Sequence, residues 1–566
     1  MKARAIGAAR GARAPLVGSR HRASPGGGGL RHAVARVPRL GDLRSMRLEA
    51  LLVAAAAVVC ALVIAFAAPI VFAPKSAGAL PVESDPIGSA ADERPSGEPW
   101  LQPGQVPGVV VYGVDATVSG TAVKAAWAYA PGDQAVNAAV ETWVAGILDS
   151  YAKNRLGQAR WRPVAAPPQA TGGSAVARPQ TCAPGSTFAD AASLAPTSAG
   201  APVPGLVISC DVVIATGSAF ATRVRATEFS VVKGASTVVS DTATTFYADL
   251  ATGRVESQDQ LLTADGRAQI EALALQLATA VGEPGAPTSS PRIDSLGFTA
   301  TGLVANIAAP AAGGAAGRPS VSVPSPQSDV MLSAFGRDFA AIVERGEPTV
   351  VAPKAAGLTR TPCSLVACVA LTYDDGPGED TPRLLDELAA RGATASFFMV
   401  GKNAAARPET VARIAAEGHT LGNHTYDHMF LLVTPRDVAV QQIQATDAAI
   451  QAAAGRPADY FRPPWGAYNP KEIGNYAHPI ALWDIDTLDW QDQGTDAILA
   501  RVQPKVSPGS VLLMHDTHHG TVDAAPALID ALQARGYYTV GLGSMFPAPP
   551  KVGAIVVSQG DVRGNA

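Results

Sequence analysis

The residue types best suited to metal binding and to acid–base chemistry gather in the last third of the chain. Two of the nine histidines, His21 and His32, lie near the amino terminus. The other seven follow residue 418, and they are His419, His424, His428, His478, His515, His518 and His519. Because imidazole is the commonest metal ligand and changes charge near neutral pH, this clustering assigns the chemistry to the carboxyl-terminal region.

Two predicted apolar strands of this region end directly in polar residues. One covers 369–373 and ends in Asp374 and Asp375, and the other covers 511–514 and ends in His515. Folds that alternate strands and helices place catalytic groups at the carboxyl ends of their strands. The first junction alone would equally fit an Asx turn closed by the Gly-Pro pair that follows it.

Three more polar segments lie between these two strands. His424 and His428 are four residues apart, so they share one face of a helical turn and can bind one cation, although exposed histidine pairs are common without a metal. Arg462 follows a short aromatic segment, and Asp486 opens a segment that ends in Trp490. Together the five junctions predict a catalytic site rather than a series of ordinary turns.

The five segments resemble, in residues and in order, the motifs of the NodB-type polysaccharide deacetylases, which are carbohydrate esterase family 4. They are Thr372–Pro377, His424–His428, Arg462–Trp465, Asp486–Trp490 and Leu512–Asp516. The resemblance covers residues 365–546 and implies an α/β fold, a distorted (β/α)7 barrel. Two positions depart from the family pattern, because Tyr373 replaces the commoner Phe and Trp465 replaces the usual Tyr.

This resemblance implies a divalent metal ion held by Asp375, His424 and His428. One carboxylate and two neutral imidazoles leave coordination positions open for water and for the substrate, as a catalytic zinc site requires. Zn²⁺ is the expected ion, and Co²⁺ is the alternative. Such an ion would lower the pKa of a bound water and polarise the amide carbonyl.

The resemblance also assigns the proton transfers. Asp374 corresponds to the catalytic base, and Arg462 corresponds to the cation that keeps this carboxylate ionised and oriented. His515 corresponds to the general acid that protonates the leaving amine. We expect Asp486 to lie beside His515 and to raise its pKa by favouring the imidazolium.

For the substrate, the resemblance implies acetylated cell-wall polysaccharide. Trp490 and Leu513 are expected to line the site around the acetyl methyl group and the His515 ring. Trp465 is expected to shape the sugar pocket. Peptidoglycan amino sugars are the preferred substrate, with chitin oligomers, another exopolysaccharide or acetylxylan as alternatives. A rival of a different class is a catalytically silent wall-binding or lysozyme-sensing receptor, and the complete set of acid, base and metal ligands argues against it.

Composition divides the chain into seven segments. Residues rich in Pro, Gly and Ser separate regions with apolar periodicity, which is typical of linkers between folded domains. The segments are a basic cytoplasmic tail (1–47), a transmembrane anchor or signal segment (48–73), a linker (74–105), an α+β accessory domain (106–345), a second linker (346–364), the deacetylase-like domain (365–546) and a carboxyl-terminal tail (547–566).

The accessory domain lacks histidine, so a second activity is not expected there. Apolar patterning predicts two strands and two helices in it, namely strands at 109–114 and 210–215 and helices at 134–153 and 264–281. The stretch 245–254, with 298–304 and 321–324, is similar to the extracytoplasmic domain of lysozyme-sensing anti-sigma factors. We therefore expect contact with lysozyme or the wall, or a spacing role.

The amino-terminal region predicts export. The uncharged run 51–73 has 23 residues, which is long enough to cross the hydrocarbon core of a membrane. Arg44 and Arg47 precede it and only Lys75 follows closely, so the positive-inside rule puts the catalytic domain outside the cytoplasm of a single-pass cell-membrane protein. A cleaved signal peptide, giving a secreted protein, and lipidation at Cys60 are the alternatives.

The cysteines outside the apolar run are even in number, as expected in an oxidising compartment. We predict the pairs Cys182 with Cys210 and Cys363 with Cys368, because each pair lies within one domain. A zinc–thiolate site is the competing interpretation, but the spacing lacks paired Cys-x2-Cys knuckles.

Charge argues against a nucleic-acid partner. Residues 1–47 hold 11 Lys and Arg against Asp42, which leaves 33 of the 44 basic residues against 47 of the 48 acidic residues in the rest of the chain. A protein that binds DNA needs a basic surface, and the body of this chain is acidic.

Overall fold

The computed structural model describes most of the chain from Val106 to Gly564. The described residues are 106, 108–132, 135–165, 176–177, 197–198, 200–280, 293–299, 302–307, 320–346, 360–472, 474, 476–491 and 494–564. No helix within these ranges is long and apolar enough to cross a membrane. The predicted cytoplasmic tail, anchor and first linker lie outside the described residues.

The accessory domain contains a seven-stranded sheet in the order β3-β1-β2-β6-β7-β8-β9. The strands of this sheet are β1 (Val110–Val118), β2 (Thr121–Tyr129), β3 (Val176–Ala177), β6 (Gly205–Thr216), β7 (Ala219–Val232), β8 (Ala235–Asp249) and β9 (Arg254–Ser257). Two short strands, β4 (Thr197–Ser198) and β5 (Ala201–Pro202), pair separately with each other. A second, antiparallel sheet consists of β10 (Ile293–Thr299), β11 (Gly302–Ile307) and β12 (Ser320–Pro324).

Helices pack with these sheets, as an α+β domain requires. They are Ala135–Arg155, Gln258–Leu261, Ala264–Ala280, Gln327–Met331 and Ala334–Glu344. The helix Ala135–Arg155 buries Val136, Val140, Val144 and Leu148, which recur every four residues and so lie on one face. All four predicted elements of this domain are present, with ends that differ by a few residues.

The catalytic domain is a sheet of parallel strands alternating with helices. Its strands are β13 (Cys368–Asp374), β14 (Ser396–Met399), β15 (Thr420–Asn423), β16 (Tyr460–Phe461), β17 (Ile480–Ala481), β18 (Ile485–Asp486), β19 (Val511–His515), β20 (Tyr538–Val540), β21 (Ile555–Ser558) and β22 (Asp561–Arg563). Neighbouring strands in the order β18-β19-β13-β14-β15-β16-β17 pair in parallel, and β20 and β21 also pair in parallel, with β13 and β17 respectively.

The helices of this domain follow the strands along the chain. They are Thr381–Ala390, Gly401–Ala406, Pro408–Ala416, Arg436–Ala454, Thr495–Val502, His519–Ala534 and Leu542–Met545, with 3-10 turns at Pro464–Gly466 and Asp489–Gln491. Every residue of the central strand β13 is buried, as expected for a parallel strand that is covered on both faces.

Strand register brings the predicted site residues to one end of the sheet. Asp374 ends β13 directly opposite His515 at the end of β19. On the other side of β13, Asn423 ends β15 and pairs with Phe461, so His424 and Arg462 leave the sheet at the same end. The carboxyl ends of the parallel strands therefore form the candidate site.

Residues 547–566 are not only a tail, and this corrects the predicted end of the domain. Ile480 in β17 pairs in parallel with Ile555 in β21, and β22 pairs antiparallel with β21. The sheet therefore continues to Arg563.

The accessory and catalytic domains share one apolar core cluster, which includes Trp161, Leu365 and Val366. The Trp161 indole N–H donates to the Leu365 carbonyl at 2.8 Å. The Tyr538 hydroxyl lies 3.2 Å from the Gly113 nitrogen and 3.3 Å from its oxygen. Because Leu365 precedes β13 and Tyr538 begins β20, these contacts lie at the amino ends of the strands, opposite the candidate site.

One predicted disulfide is confirmed. Cys363 and Cys368 are bonded, with their Cα atoms 5.4 Å apart, at the start of β13. Cys210 is also disulfide-bonded, and its predicted partner Cys182 lies outside the described residues.

Candidate metal centre and catalytic groups

Three potential metal ligands meet at the carboxyl ends of β13 and β15. One ligand atom from each of Asp375, His424 and His428 lies within 4.8 Å of the other two. The Asp375 Oδ1 atom is 3.6 Å from His424 Nε2 and 3.3 Å from His428 Nε2. The structure thus brings together the three residues that the sequence predicted as metal ligands.

The hydrogen bonding of His424 prepares it to bind a cation. Its Nδ1 atom lies 2.6 Å from the Arg462 carbonyl oxygen, and because that oxygen can only accept, Nδ1 carries the proton. The lone pair is therefore on Nε2, which faces Asp375. Burial lowers the pKa of His424 to about 3 against the opposing charge of Asp375, so the imidazole is neutral.

The chemistry of this donor set fits a divalent metal ion. Asp375 Oδ1 is buried, and no described residue donates a hydrogen bond to it. A buried carboxylate oxygen without a donor is costly unless a cation or water satisfies it. Two neutral imidazoles and one carboxylate are a common ligand set of catalytic zinc sites.

The predicted base lies beside these ligands and is held by an arginine. Arg462 Nη1 donates to Asp374 Oδ1 at 2.8 Å, and both side chains are buried. Burial raises the pKa of Asp374, and the charges of Arg462 and His515 oppose that rise. The other carboxylate oxygen, Oδ2, faces His424 Nε2 at 3.7 Å.

Arg462 cannot move without losing several contacts. Its guanidinium also donates to the Ala481 and Leu482 carbonyls at 3.0 Å and 2.9 Å, and it stacks on the Phe398 ring at 4.0 Å. Burial lowers its pKa and Asp374 opposes this, but arginine stays charged at any accessible pH. The base is therefore fixed in position by a rigid cation.

The carboxylate beside His515 is Asp489, which corrects the prediction that Asp486 lies there. His515 Nδ1 is 3.0 Å from Asp489 Oδ1, and the His515 backbone N–H donates to Asp489 Oδ2 at 2.7 Å. Asp486 instead accepts a hydrogen bond from the Leu488 backbone N–H at 2.8 Å, two residues along the chain. This is an Asx turn, and it directs the first carboxylate of the segment to its own backbone.

Asp489 gives His515 the properties of a general acid. Burial disfavours the charged imidazole, but the hydrogen bond to Asp489 and the charges of Asp374 and Asp489 outweigh it and raise the pKa of His515 to about 9. The Thr521 hydroxyl also donates to Asp489, at 2.7 Å, which fixes the carboxylate. The sequence analysis did not identify Asp489, although it lies in the same motif as Asp486. The available signal was the position of Asp486 two residues before Leu488, which is typical of an Asx turn that occupies its carboxylate.

The three predicted substrate-binding residues differ in exposure. Trp465 is 61% exposed and Trp490 is 50% exposed. The Trp465 ring lies edge-on to His428, with centroids 4.3 Å apart, and it also contacts Phe430. Leu513 is buried within β19, so of these three residues only the two tryptophans are exposed.

The four other histidines in the described part of the chain, His419, His478, His518 and His519, are not part of this cluster. His518 lies with its ring centroid 5.5 Å from that of His515, and the exposed His519 pairs with Asp380 at 2.8 Å. His419 and His478 are buried elsewhere in the domain.

Comparison with known proteins identifies the class. A family model described as polysaccharide deacetylase matches residues 363–477. A peptidoglycan-N-acetylglucosamine deacetylase of Bacillus cereus is 39% identical over 31% of this chain and 68% of its own length. A chitooligosaccharide deacetylase of Sinorhizobium fredii is 35% identical over 30% of this chain and 87% of its own length. The chain therefore belongs to the polysaccharide deacetylase family, which makes it an N-deacetylase by class.

A third relative shares less of its length. The peptidoglycan-N-acetylmuramic acid deacetylase PdaC of Bacillus subtilis is 34% identical over 31% of this chain, and the match spans 38% of PdaC. The similarity to all three relatives is thus confined to about a third of the present chain.

Proposed function

We propose that this protein is an exported, metal-dependent hydrolase that removes N-acetyl groups from peptidoglycan amino sugars. The proposal rests on one observation, which is that the potential metal ligands, the base and the acid lie together at one end of the sheet. These are the ligand cluster of Asp375, His424 and His428, the base Asp374 beside it, and the acid His515 opposite Asp374 in the strand register.

Asp375, His424 and His428 would hold the divalent ion, with Zn²⁺ expected and Co²⁺ as the alternative. When bound, such an ion lowers the pKa of water and polarises a carbonyl group. His424 offers the lone pair of Nε2 to the ion, because its Nδ1–H donates to the Arg462 carbonyl.

Asp374 accepts a proton from the attacking water. Burial raises the pKa of this carboxyl, which makes its ionised form a better base than an exposed aspartate. Arg462 holds Oδ1, so Oδ2 is the oxygen left to receive the proton. The water oxygen forms the new bond to the acetyl carbon.

His515 donates a proton from Nε2 to the amide nitrogen as the carbon–nitrogen bond breaks. The products are acetate and a free amino sugar, and the proton taken by Asp374 balances the one given by His515 over the cycle. Asp489 holds Nδ1–H and stabilises the imidazolium before transfer.

The choice of peptidoglycan rests on two supports. Relatives in Bacillus cereus and Bacillus subtilis carry peptidoglycan deacetylase names, and the predicted membrane segment would keep the enzyme near the wall. Chitin oligomers are the principal alternative, because a chitooligosaccharide deacetylase is also similar. The exposed faces of Trp465 and Trp490 suit the C–H faces of sugar rings in either polymer.

The accessory domain and the localisation remain expectations from sequence. We propose a single-pass cell-membrane protein with its catalytic domain outside the cytoplasm, or a secreted form after signal cleavage. The accessory domain would contact the wall or lysozyme.

The test is acetate release by the full-length protein from purified peptidoglycan and from chitin oligomers, with and without a chelator. We expect release from peptidoglycan that the chelator stops and that added Zn²⁺ restores. Asp374→Asn is the matched inactive control. Release from chitin oligomers alone would overturn the substrate, and release that the chelator leaves unchanged would overturn the metal.

A further inference from the structure

The loop that carries both histidine ligands has a backbone that needs outside support. Thr425 and His428 have φ angles of 63° and 58°, which lie in the left-handed region that residues other than glycine seldom adopt. Residues in such conformations persist only where the surrounding structure determines them. The groups that hold this loop therefore control where His424 and His428 stand.

Asn423 makes the first of these supporting contacts. It ends β15 and is fully buried, and its Oδ1 accepts the Thr425 backbone N–H at 3.0 Å. Its Nδ2 donates to the Ile443 carbonyl at 2.8 Å and to Asp447 Oδ1 at 2.9 Å. A rotated amide would place its oxygen against these two acceptors, so they fix the amide with its oxygen toward Thr425.

Asp447 is held in turn by a histidine outside all five motifs. His478 Nε2 lies 2.8 Å from Asp447 Oδ2, and since the carboxylate can only accept, His478 donates. His478 is 8% exposed and stands two residues before β17, whereas Asp447 lies on the helix Arg436–Ala454. This pair joins the helix to the segment that leads into β17.

We propose that Asp447, fixed by His478, is a positioning residue for the metal site. Through the Asn423 amide it sets the backbone at Thr425, and through that backbone it sets the spacing of His424 and His428. This inference rests on the metal site of the proposed function. Neither Asp447 nor His478 is a ligand or touches the reacting atoms.

A second support limits the expected effect. Gln442, on the same helix, accepts the backbone N–H groups of Tyr426 and Asp427 at 3.0 Å and 2.8 Å. Because Gln442 still holds the loop when Asp447 is replaced, metal affinity should weaken but not vanish. Loss of a partner behind a ligand typically weakens metal binding about 10- to 100-fold, and we expect about tenfold here.

The test measures metal binding of the full-length protein by two methods. One is the zinc Kd from competition with a chromophoric chelator, and the other is the visible spectrum of bound Co²⁺, which reports ligand geometry. Asp447→Leu should raise the zinc Kd about tenfold and alter the Co²⁺ spectrum. His478→Leu should change both in the same direction by a smaller factor, and His478→Gln, which keeps an N–H donor, should restore them.

A buried histidine away from the loop provides the control. His419 is 2% exposed, and its Nδ1 accepts the Ala395 backbone N–H at 3.0 Å. His419→Leu should lower Tm without changing the zinc Kd. An equal rise in zinc Kd in this control would overturn the inference, because general destabilisation would then explain the effect.

The outcomes separate this inference from the proposed function. A wild-type protein that binds no zinc refutes the metal site itself. A wild-type protein that binds zinc, together with Asp447→Leu and His478→Leu variants of unchanged Kd and spectrum, refutes the positioning role alone. Should Asp447→Leu fail to fold, the His478 variants decide, and equal behaviour of His478→Leu and His478→Gln overturns the inference.

Discussion

Replacing Asp489 by Asn removes the negative charge that favours the imidazolium of His515. The change keeps the size of the side chain, and Asp489 is fully buried, so solvent cannot replace the lost charge. An opposite charge in direct contact shifts a pKa by about one to three units, and other carboxylates remain near His515, so we expect a fall of about 1.5 units from about 9. Each unit corresponds to about 1.4 kcal/mol.

The consequence is a shift of the basic limb of the kcat/KM profile. Since His515 must be protonated to act, the limb should move down by about 1.5 pH units. At pH 8 the protonated fraction of His515 would fall from about nine tenths to about one quarter. The acidic limb should move slightly to lower pH, because Asp489 is one of the charges that raise the pKa of Asp374.

Asp486→Asn is the matched control. It removes the same charge from the same segment, but Asp486 bonds to the Leu488 backbone instead of His515. We expect both limbs to stay in place and Tm to fall slightly. Kinetics from pH 5 to 10 on three proteins with equal metal content decide the matter. A basic limb that stays fixed in Asp489→Asn, or one that moves equally in Asp486→Asn, refutes the assignment of His515 and its partner.

Three other results are expected. His428→Ala and Asp375→Ala should lose both bound metal, measured by elemental analysis, and activity, measured by acetate release. Asp374→Asn should keep the metal and lose turnover. Stoichiometric zinc in His428→Ala would contradict the ligand set. Replacing Cys363 and Cys368 by Ala should lower the free energy of unfolding by about 2 kcal/mol in denaturant titrations, because the closed loop is short, and an unchanged midpoint would contradict this. Trp465→Ala should raise KM for polysaccharide several-fold with little change in kcat, since its exposed ring contacts His428 but no proposed proton-transfer group, and an equal loss in kcat would assign the ring a different role.

The metal cluster could be predicted from sequence because its geometry follows from strand order. Asp375 and His424 both come directly after parallel strands, and the carboxyl ends of such strands meet. The partner of His515 could not be predicted in the same way. Two carboxylates stand three residues apart in one segment, and a local turn in which Leu488 has a φ of 54° decides which one reaches the imidazole.

The end of the domain escaped prediction for a different reason. The strands β21 and β22 have four and three residues, and they join a two-residue strand, β17. Segments this short carry too little apolar periodicity to be distinguished from a tail. The support from Asp447 and His478 was equally hidden, because it joins residues 31 positions apart through a single hydrogen bond.

The shared core between the two domains bears on how this enzyme can be divided or recombined. A fragment that begins near residue 360 would retain every catalytic group, but it would expose Leu365 and Val366 to water and leave the Leu365 carbonyl without the Trp161 indole. Such a fragment should aggregate or need a substitute surface, whereas cutting before the accessory domain leaves this contact intact. Replacing the accessory domain of this chain would therefore require a new surface that covers Leu365 and Val366 at the amino ends of the strands.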